Sequence, residues 1–300
     1  MNKLERLALT YRERGIRYSE NEPLSAYSTF RVGGAAAMLV RPSSADELVF
    51  AVESAKRAGV RAVVVGNGSN LLFADAGFDG AVIVTTDMSR VNVNGNRITA
   101  DCGVSFTRLA MLARDAGLSG LEFAYGIPGT VGGAVFMNAG AYGGETSQVL
   151  LESRVYDGTS VKTYDRDAHK LSYRHSAFAE NDGLIVLEST FELIPGDRAE
   201  ISKKMSSFMA ARREKQPLEF PSAGSTFKRP PNNFAGKLIE ESGLKGFTVG
   251  GAQVSEKHAG FVINRGGATA EDILELISHV RDTVLKDHDI LLECEIKYVC

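Results

Sequence analysis

The chain has 300 residues, 44% hydrophobic and 24% charged, with a formal net charge of -3, the profile of a soluble globular protein of one large or two modest domains. The slight acidity and the absence of any Lys/Arg block argue against a nucleic-acid-binding protein. No apolar run is long enough to cross a bilayer and the N-terminus lacks the apolar stretch of a signal peptide, so a soluble cytoplasmic protein is expected by default; a monomer is the expected state.

The first fifteen residues have the pattern of an amphipathic helix, and Ala37–Val40 reads as a strand. Ser44-Ala-Asp-Glu47 is a capping box, and the helix it opens stops at Gly59. Val60–Val65 follows as a buried strand, which makes a βαβ unit the expectation here.

That strand runs into Gly66-Asn-Gly68, with Asp87 near the offset at which a dinucleotide fold places its ribose-binding acid. A Rossmann loop, however, needs a helix directly after the glycines to hold the pyrophosphate. Here Leu71 and Leu72 replace the third glycine, Phe73 to Gly80 has no helical period, and the next strand begins at Ala81, too near for a helical crossover. The Rossmann reading therefore loses, and Asp87 with it. A backbone nest takes its place, in which the N–H groups of Gly66, Asn67, Gly68, Ser69 and Asn70 cup a phosphate, with a plain turn as the competing reading.

Ala81–Thr85 and Arg97–Asp101 read as strands and Phe106–Gly117 as a helix. Ala124 to Gly144 is then glycine-dense, with few charges for a solvent loop. Glycine permits close approach of the backbone to a ligand, Pro128-Gly129 sets a turn, and the Thr130 hydroxyl can donate. Two such tracts suggest one large ligand with a diphosphate and a planar head. Strands follow at Arg154–Tyr156 and Leu184–Leu193, and composition shifts at Ile194–Asp197.

A helix over Ala199–Lys215 leads away, and Gln216–Asn233 carries four of the eight prolines, so a domain boundary is placed near residue 197. Beyond it come a helix over Phe234–Gly243, a strand over Gly260–Asn264, and a long helix over Ala270–Lys286. That last helix has Ile273, Leu276, Ile277, Val280 and Val284 at helical spacing. A final strand over Ile290–Val299 would place Glu293, Glu295 and Lys297 on the face opposite Ile290, Leu292, Cys294, Ile296 and Tyr298. Cys102, Cys294 and Cys300 form no C-x-x-C pair, and the five histidines form no H-E-x-x-H, so free thiols and no zinc site are expected.

The tracts Val65-Gly-Asn-Gly-Ser-Asn70 and Gly126 to Gly143 resemble the FAD-binding half of the UDP-N-acetylenolpyruvoylglucosamine reductase (MurB) family. Ser28-Thr-Phe-Arg-Val-Gly-Gly34, Ser172-Tyr-Arg-His-Ser176, Ala223-Gly-Ser-Thr-Phe-Lys-Arg-Pro230, Lys257-His-Ala-Gly-Phe-Val-Ile-Asn264 and Glu293-Cys-Glu-Ile-Lys297 match as well, in the family's order. Any one motif is weak; the ordered set covers nearly the whole chain. The direct passage from Pro230 to the next helix, without an inserted Tyr-bearing segment, resembles the shorter, type II form, so no Tyr is carried over as a lid.

The resemblance implies an α+β protein with the FAD-binding fold of the vanillyl-alcohol oxidase (PCMH) type. Residues 1–197 would bind FAD in two subdomains, about 1–66 and 67–197, and 198–300 would form a C-terminal α+β substrate domain. It implies an enzyme that uses NADPH and non-covalent FAD to reduce UDP-N-acetyl-3-O-(1-carboxyvinyl)-glucosamine to UDP-N-acetylmuramate in peptidoglycan synthesis. Neither glycine tract contains a histidine that could attach the flavin covalently. In the implied reaction, hydride reaches the methylene carbon and an enolate builds at the next carbon and its carboxylate. That species needs hydrogen-bonding or cationic support and a proton.

The family match assigns the proton donor to Ser225, enolate stabilisation to Arg174, and a role at the enolpyruvyl carboxylate to Glu295. Read locally, the same residues are a turn serine, a surface arginine and a solvated glutamate. Tyr173, Lys215, Asn233, His258 and Lys297 are substrate-side candidates, with Lys237 and Asn264 behind them. For FAD, the expected contacts are Gly66, Asn67, Gly68, Ser69, Asn70, Pro128, Gly129, Thr130, Gly132 and Gly133, with Arg31 on a phosphate. The alternatives are an FAD oxidase of the same fold acting on another alcohol or sugar, and a non-catalytic nucleotide-sugar-binding protein.

Overall fold

Helix ends follow their local chemistry in the computed structural model, which describes residues 1–300. Asn2 and Glu5 cap each other at the start of Lys3–Arg14, Ser44 caps Ala45–Ala58, and Thr269 with Asp272 forms a capping box on Ala270–His288. Left-handed Gly15 and Gly59 end the first two. No helix is long and apolar enough to cross a membrane, and all three cysteines are free.

The chain divides into two units that are not contiguous in sequence. The first comprises Met1–Glu20, Met38–Asn67 and Gly80–Ala210; the second comprises Asn21–Ala37, Gly68–Asp79 and Ala211–Cys300. The expected division at residue 197 therefore differs from the observed one. Ile201 and Met205 of the Arg198–Lys215 helix pack into the first unit's core, and two early segments belong with the C-terminal part. Apolar side chains decide this: Phe30, Val32 and Leu72 are buried with Leu238, Ile239 and Ile273, a long-range association that no local composition shift marks.

Most strand residues of the first unit lie in two sheets. In one the strands run in the order Arg17–Pro23, Ala35–Arg41, Phe78–Val84, Ala62–Val65. Phe78–Val84 lies between the two strands expected to form a simple βαβ pair and is parallel to Ala62–Val65. The connection between these parallel neighbours holds no helix, as the spacing to Ala81 predicts. It does hold a short strand, Leu71–Phe73, where no element was expected.

The other sheet is antiparallel, in the order Val161–Asp165, Leu150–Tyr156, Ile185–Glu192, Arg97–Asp101, Val91–Asn94. The second glycine tract contains a short helix, Val131–Phe136, and a small hairpin, Gly140–Ala141 with Gly144–Glu145.

His169 is fully buried in the first unit, with Nδ1 2.6 Å from the Asp165 carbonyl and Nε2 2.8 Å from Ser153 Oγ. The carbonyl can only accept, so Nδ1 carries the proton and Nε2 accepts from the serine. Burial holds the imidazole below its ordinary value, against a smaller opposing pull from Asp165. A depressed histidine pKa means the unfolded chain binds more protons, so this contribution is present above the ordinary value and is lost as pH falls through the folded one. We expect the melting temperature to drop as pH is lowered from 7 to 5, and His169→Gln to flatten that dependence. An equally steep profile in the variant would assign it to other groups.

The second unit has a three-stranded antiparallel sheet, Thr248–Val249, Ala252–Val254 and Val262–Asn264, with helices Ala235–Glu241 and Ala270–His288. The expected last strand, Ile290–Val299, is only partly one. Lys297–Val299 pairs in parallel with Leu71–Phe73, whereas Cys294 makes an isolated bridge to Phe227. The segment changes partner between these points, which ends the ladder, and the alternation fails at Tyr298, 46% exposed.

Candidate functional site

The two glycine tracts meet inside the first unit. A Cβ on Gly66 would lie 2.3 Å from Thr130 Oγ1, so only glycine lets these chains approach. The Asn67 amide donates to the Pro128 carbonyl at 2.6 Å. Ser105 and Thr130 form a bridge, with the Gly129 carbonyl accepting from Phe106 N–H at 3.0 Å and Val131 N–H donating to Val104 at 2.8 Å. Gly132 N–H donates to the Cys102 carbonyl at 2.8 Å, and Gly133 N–H points at Thr130 Oγ1, 3.4 Å away.

Not all of the expected backbone contacts in this tract offer a free N–H. Pro128 has no N–H and gives its carbonyl to Asn67, while Gly132 serves as packing, with a Cβ there falling 3.0 Å from Cys102 Cβ. Gly129 and Thr130 keep their amides. Burial pushes the Cys102 thiol up to about 12, so it is inert packing.

In the first loop none of the N–H groups of Gly66, Asn67, Gly68 and Ser69 donates to another group of the protein. Gly68 is left-handed, with φ +59, and its carbonyl accepts from Thr29 N–H at 3.3 Å. Successive unpaired amides around a left-handed glycine form an anion-binding concavity. This donor set fits the diphosphate of a dinucleotide cofactor such as FAD. Asp87 has no part in it: its two carboxylate oxygens are taken by Arg17 at 2.7 Å and Arg41 at 2.9 Å.

Arg174 sits in the first unit at the tip of a tight turn closed by the Ser172–His175 bridge, with left-handed φ of +53. Its guanidinium lies 5.2 Å from the centre of the Tyr173 ring, and Nη2 donates to the Gly140 carbonyl at 3.3 Å. Tyr173 is 50% exposed. A non-glycine residue held left-handed costs about 1–2 kcal/mol, and such strain clusters at working sites.

In the second unit Ser225 and Glu295 are brought together. Glu295 N–H donates to the Thr226 carbonyl at 2.8 Å and Lys228 N–H to the Glu293 carbonyl at 2.9 Å. Thr226 is fully buried; its N–H donates to Gly260 at 2.8 Å, and its hydroxyl accepts from Val262 N–H at 3.0 Å. The neighbouring Ser225 is exposed and Glu295 half-buried. The Asn70 side chain donates to the Glu295 carbonyl at 3.0 Å, and the Asn70 carbonyl accepts from Lys297 N–H at 3.0 Å. A residue of the first glycine loop thus anchors the segment bearing Glu295.

The remaining candidates differ in kind. Arg31 is exposed and left-handed, with φ +57, and its turn is held by Asn264, whose amide donates to the Phe30 carbonyl at 3.0 Å. His258 accepts from Gly260 N–H at Nδ1, 3.1 Å away, and meets the Phe261 ring edge-on, while burial lowers its pKa. It supports Gly260, and through it Thr226. The Asn233 side-chain Oδ1 is occupied by Phe234 N–H at 2.9 Å. Lys215 and Lys297 are exposed. Sequence reasoning passed over Asn138 and Thr226, which touch only backbone; the one signal for Asn138 was an asparagine at a helix end, where the left-handed region is tolerated.

Comparison with known proteins agrees with this geometry. Residues 216–299 match the family "UDP-N-acetylenolpyruvoylglucosamine reductase, C-terminal domain", and residues 36–162 match the "FAD binding domain" family. The chain is 47% identical to the UDP-N-acetylenolpyruvoylglucosamine reductase of Caldicellulosiruptor bescii, over 95% of this chain and 91% of that one. It is 44% identical to the protein of that name from Lactobacillus acidophilus, over 97% and 98%. The crystal structure of the Thermus caldophilus reductase superposes with a TM-score of 0.81 at 34% identity, over 95% of this chain and 99% of the other. The fold is thus the expected α+β one, with an FAD-binding domain and the reductase family's C-terminal domain.

Proposed function

The chain belongs to the UDP-N-acetylenolpyruvoylglucosamine reductase family, and from that premise we propose that it uses NADPH and bound FAD to reduce UDP-N-acetyl-3-O-(1-carboxyvinyl)-glucosamine to UDP-N-acetylmuramate for peptidoglycan synthesis in the cytoplasm. The observation that carries the reading is the pairing of the Ser225 loop with the Glu295 segment: the Glu295 amide on the Thr226 carbonyl at 2.8 Å. It joins the backbone of the segment bearing the exposed Ser225 to that bearing the half-buried Glu295, which supports reading the two as the groups that serve the enolate's proton and carboxylate.

Bound FAD would supply hydride transfer between NADPH and the substrate's methylene carbon. The amides of Gly66 to Ser69, with those of Gly129 and Thr130, hold its diphosphate. Ser225 Oγ donates the proton to the enolate carbon, where placement counts for more than acidity. Arg174 pairs with the carboxylate that takes up the developing charge, a role suited to a guanidinium because it stays ionised. Glu295 in its protonated form helps polarise the enolpyruvyl carboxylate. Lys215 and Lys297 are cations for substrate or NADPH phosphate and carboxylate groups, and Arg31 is a cation for the cofactor diphosphate.

The deciding experiment is the visible spectrum of the purified protein, followed by NADPH consumption with and without the enolpyruvyl substrate. A flavin spectrum and substrate-dependent NADPH oxidation are expected. A colourless protein that FAD cannot reconstitute would end this proposal. Oxidation of NADPH by oxygen alone would favour an oxidase.

A further inference from the structure

Asn138 is fully buried and left-handed, with φ +42. It follows the Val131–Phe136 helix, where Ala139 N–H donates to the Ala134 carbonyl at 2.8 Å and Asn138 N–H to Val135 at 3.2 Å, a Schellman ending with asparagine in the usual glycine place. A capping role uses only the backbone of such a residue. Here both ends of the side chain are used as well. Nδ2 donates to the Ser172 carbonyl at 3.0 Å, and Oδ1 accepts from Ser147 N–H at 2.9 Å.

Ser172 opens the turn that carries Arg174. The other side of that turn is tied to the same helix, because Ser176 Oγ donates to the Phe136 carbonyl at 2.6 Å. The helix begins at Thr130, in the cofactor tract, and is six residues long, or about 9 Å at the usual rise. The arginine turn is therefore set one short helix away from the tract that meets the Gly66 loop.

From this geometry, and resting on the reductase reading above, we propose that Asn138 is a positioning residue for Arg174, registering its guanidinium against the bound cofactor. A carboxamide can donate to one carbonyl while accepting from a separate N–H. Aspartate keeps the acceptor and loses the donor, and serine is too short to span both partners. Arg174 itself is held in a strained conformation, φ +53, so the turn depends on what grips its ends.

The test uses the holoenzyme, two Asn138 variants, Arg174→Lys and a double variant. Asn138→Gly keeps the left-handed backbone and deletes both side-chain bonds; Asn138→Asp deletes only the bond to Ser172. Both are expected to bind FAD and to be reduced by NADPH as the parent is. Reoxidation by the enolpyruvyl substrate should slow about 10- to 100-fold, the scale of a misplacement near 1 Å, with kcat affected more than KM. Amide exchange should quicken at residues 172–176.

In an Arg174→Lys background, Asn138→Gly should add little, because the residue acts through the arginine. Parental reoxidation in both Asn138 variants, or a loss that multiplies in full with Arg174→Lys, overturns the proposal. Should Asn138→Gly fail to fold, Asn138→Asp decides by the same readouts. A parent enzyme that does not itself reduce the substrate points instead to failure of the reductase reading.

Discussion

Ser225→Ala is expected to load FAD and to take reducing equivalents from NADPH at the parental rate, yet to pass them to the enolpyruvyl substrate about 10²–10⁴-fold more slowly, the usual contribution of a positioned acid. The clean separation follows from where the residue sits. Ser225 is exposed, while the bonds that shape its loop belong to Thr226, whose N–H reaches Gly260 and whose carbonyl accepts from Glu295. Removing Oγ alone leaves that frame intact, and exposed substitutions away from such bonds change stability by less than about 0.5 kcal/mol. Stopped-flow absorbance of the flavin reads the two half-reactions separately. Reoxidation at the parental rate removes Ser225 as proton donor. An equal slowing of both halves would mean that the loop positions the cofactor instead.

Which features could be read beforehand follows from the range of the forces involved. The missing helix after Gly68 was legible, because a parallel crossover by helix needs more residues than the chain has before Ala81. The partnership of the two glycine tracts was suggested by their shared lack of charge, and it appears as the Gly66–Thr130 contact and the Asn67–Pro128 bond. The pairing of Ser225 with Glu295 was reachable only through family resemblance. Residues seventy apart meet by backbone bonds that carry no side-chain signature.

The expected ten-residue last strand failed for a related reason. Alternation of Leu292, Cys294 and Ile296 records burial on one side, but the ladder partner changes from Phe227 to Leu71–Phe73 along the segment, and periodicity is blind to partners. Gly132 misled in another way. A glycine in a cofactor tract reads as a phosphate donor, yet its N–H is bound to Cys102 and its missing Cβ makes room for that residue. Asn70 was counted for its main chain alone, whereas its side chain holds the Glu295 carbonyl.

Gly68→Ala is expected to yield a protein that folds but retains little or no FAD. Two separable effects converge at this position. The left-handed φ of +59 costs an alanine about 1–2 kcal/mol. The added Cβ would also lie 2.0 Å from the Tyr27 carbonyl oxygen and 3.0 Å from Ser28 Cα, which no rotamer can relieve because both neighbours are main chain. The loop must therefore shift by an ångström or so, and the neighbouring amides of Asn67 and Ser69 shift with it. Electrostatic binding by preset donors loses most when their geometry is lost, so FAD affinity should fall at least about 100-fold, on the order of 3 kcal/mol. Gly143→Ala is the matched control. It is also left-handed, with φ +82, but an added Cβ there meets nothing within 4 Å, so it should cost strain alone and keep the flavin. Equilibrium dialysis of FAD and thermal melts of both apoproteins separate the outcomes. A yellow Gly68→Ala protein with parental affinity would show that the Gly66–Ser69 amides do not hold the diphosphate, and would leave Gly129 and Thr130 as the donors to test.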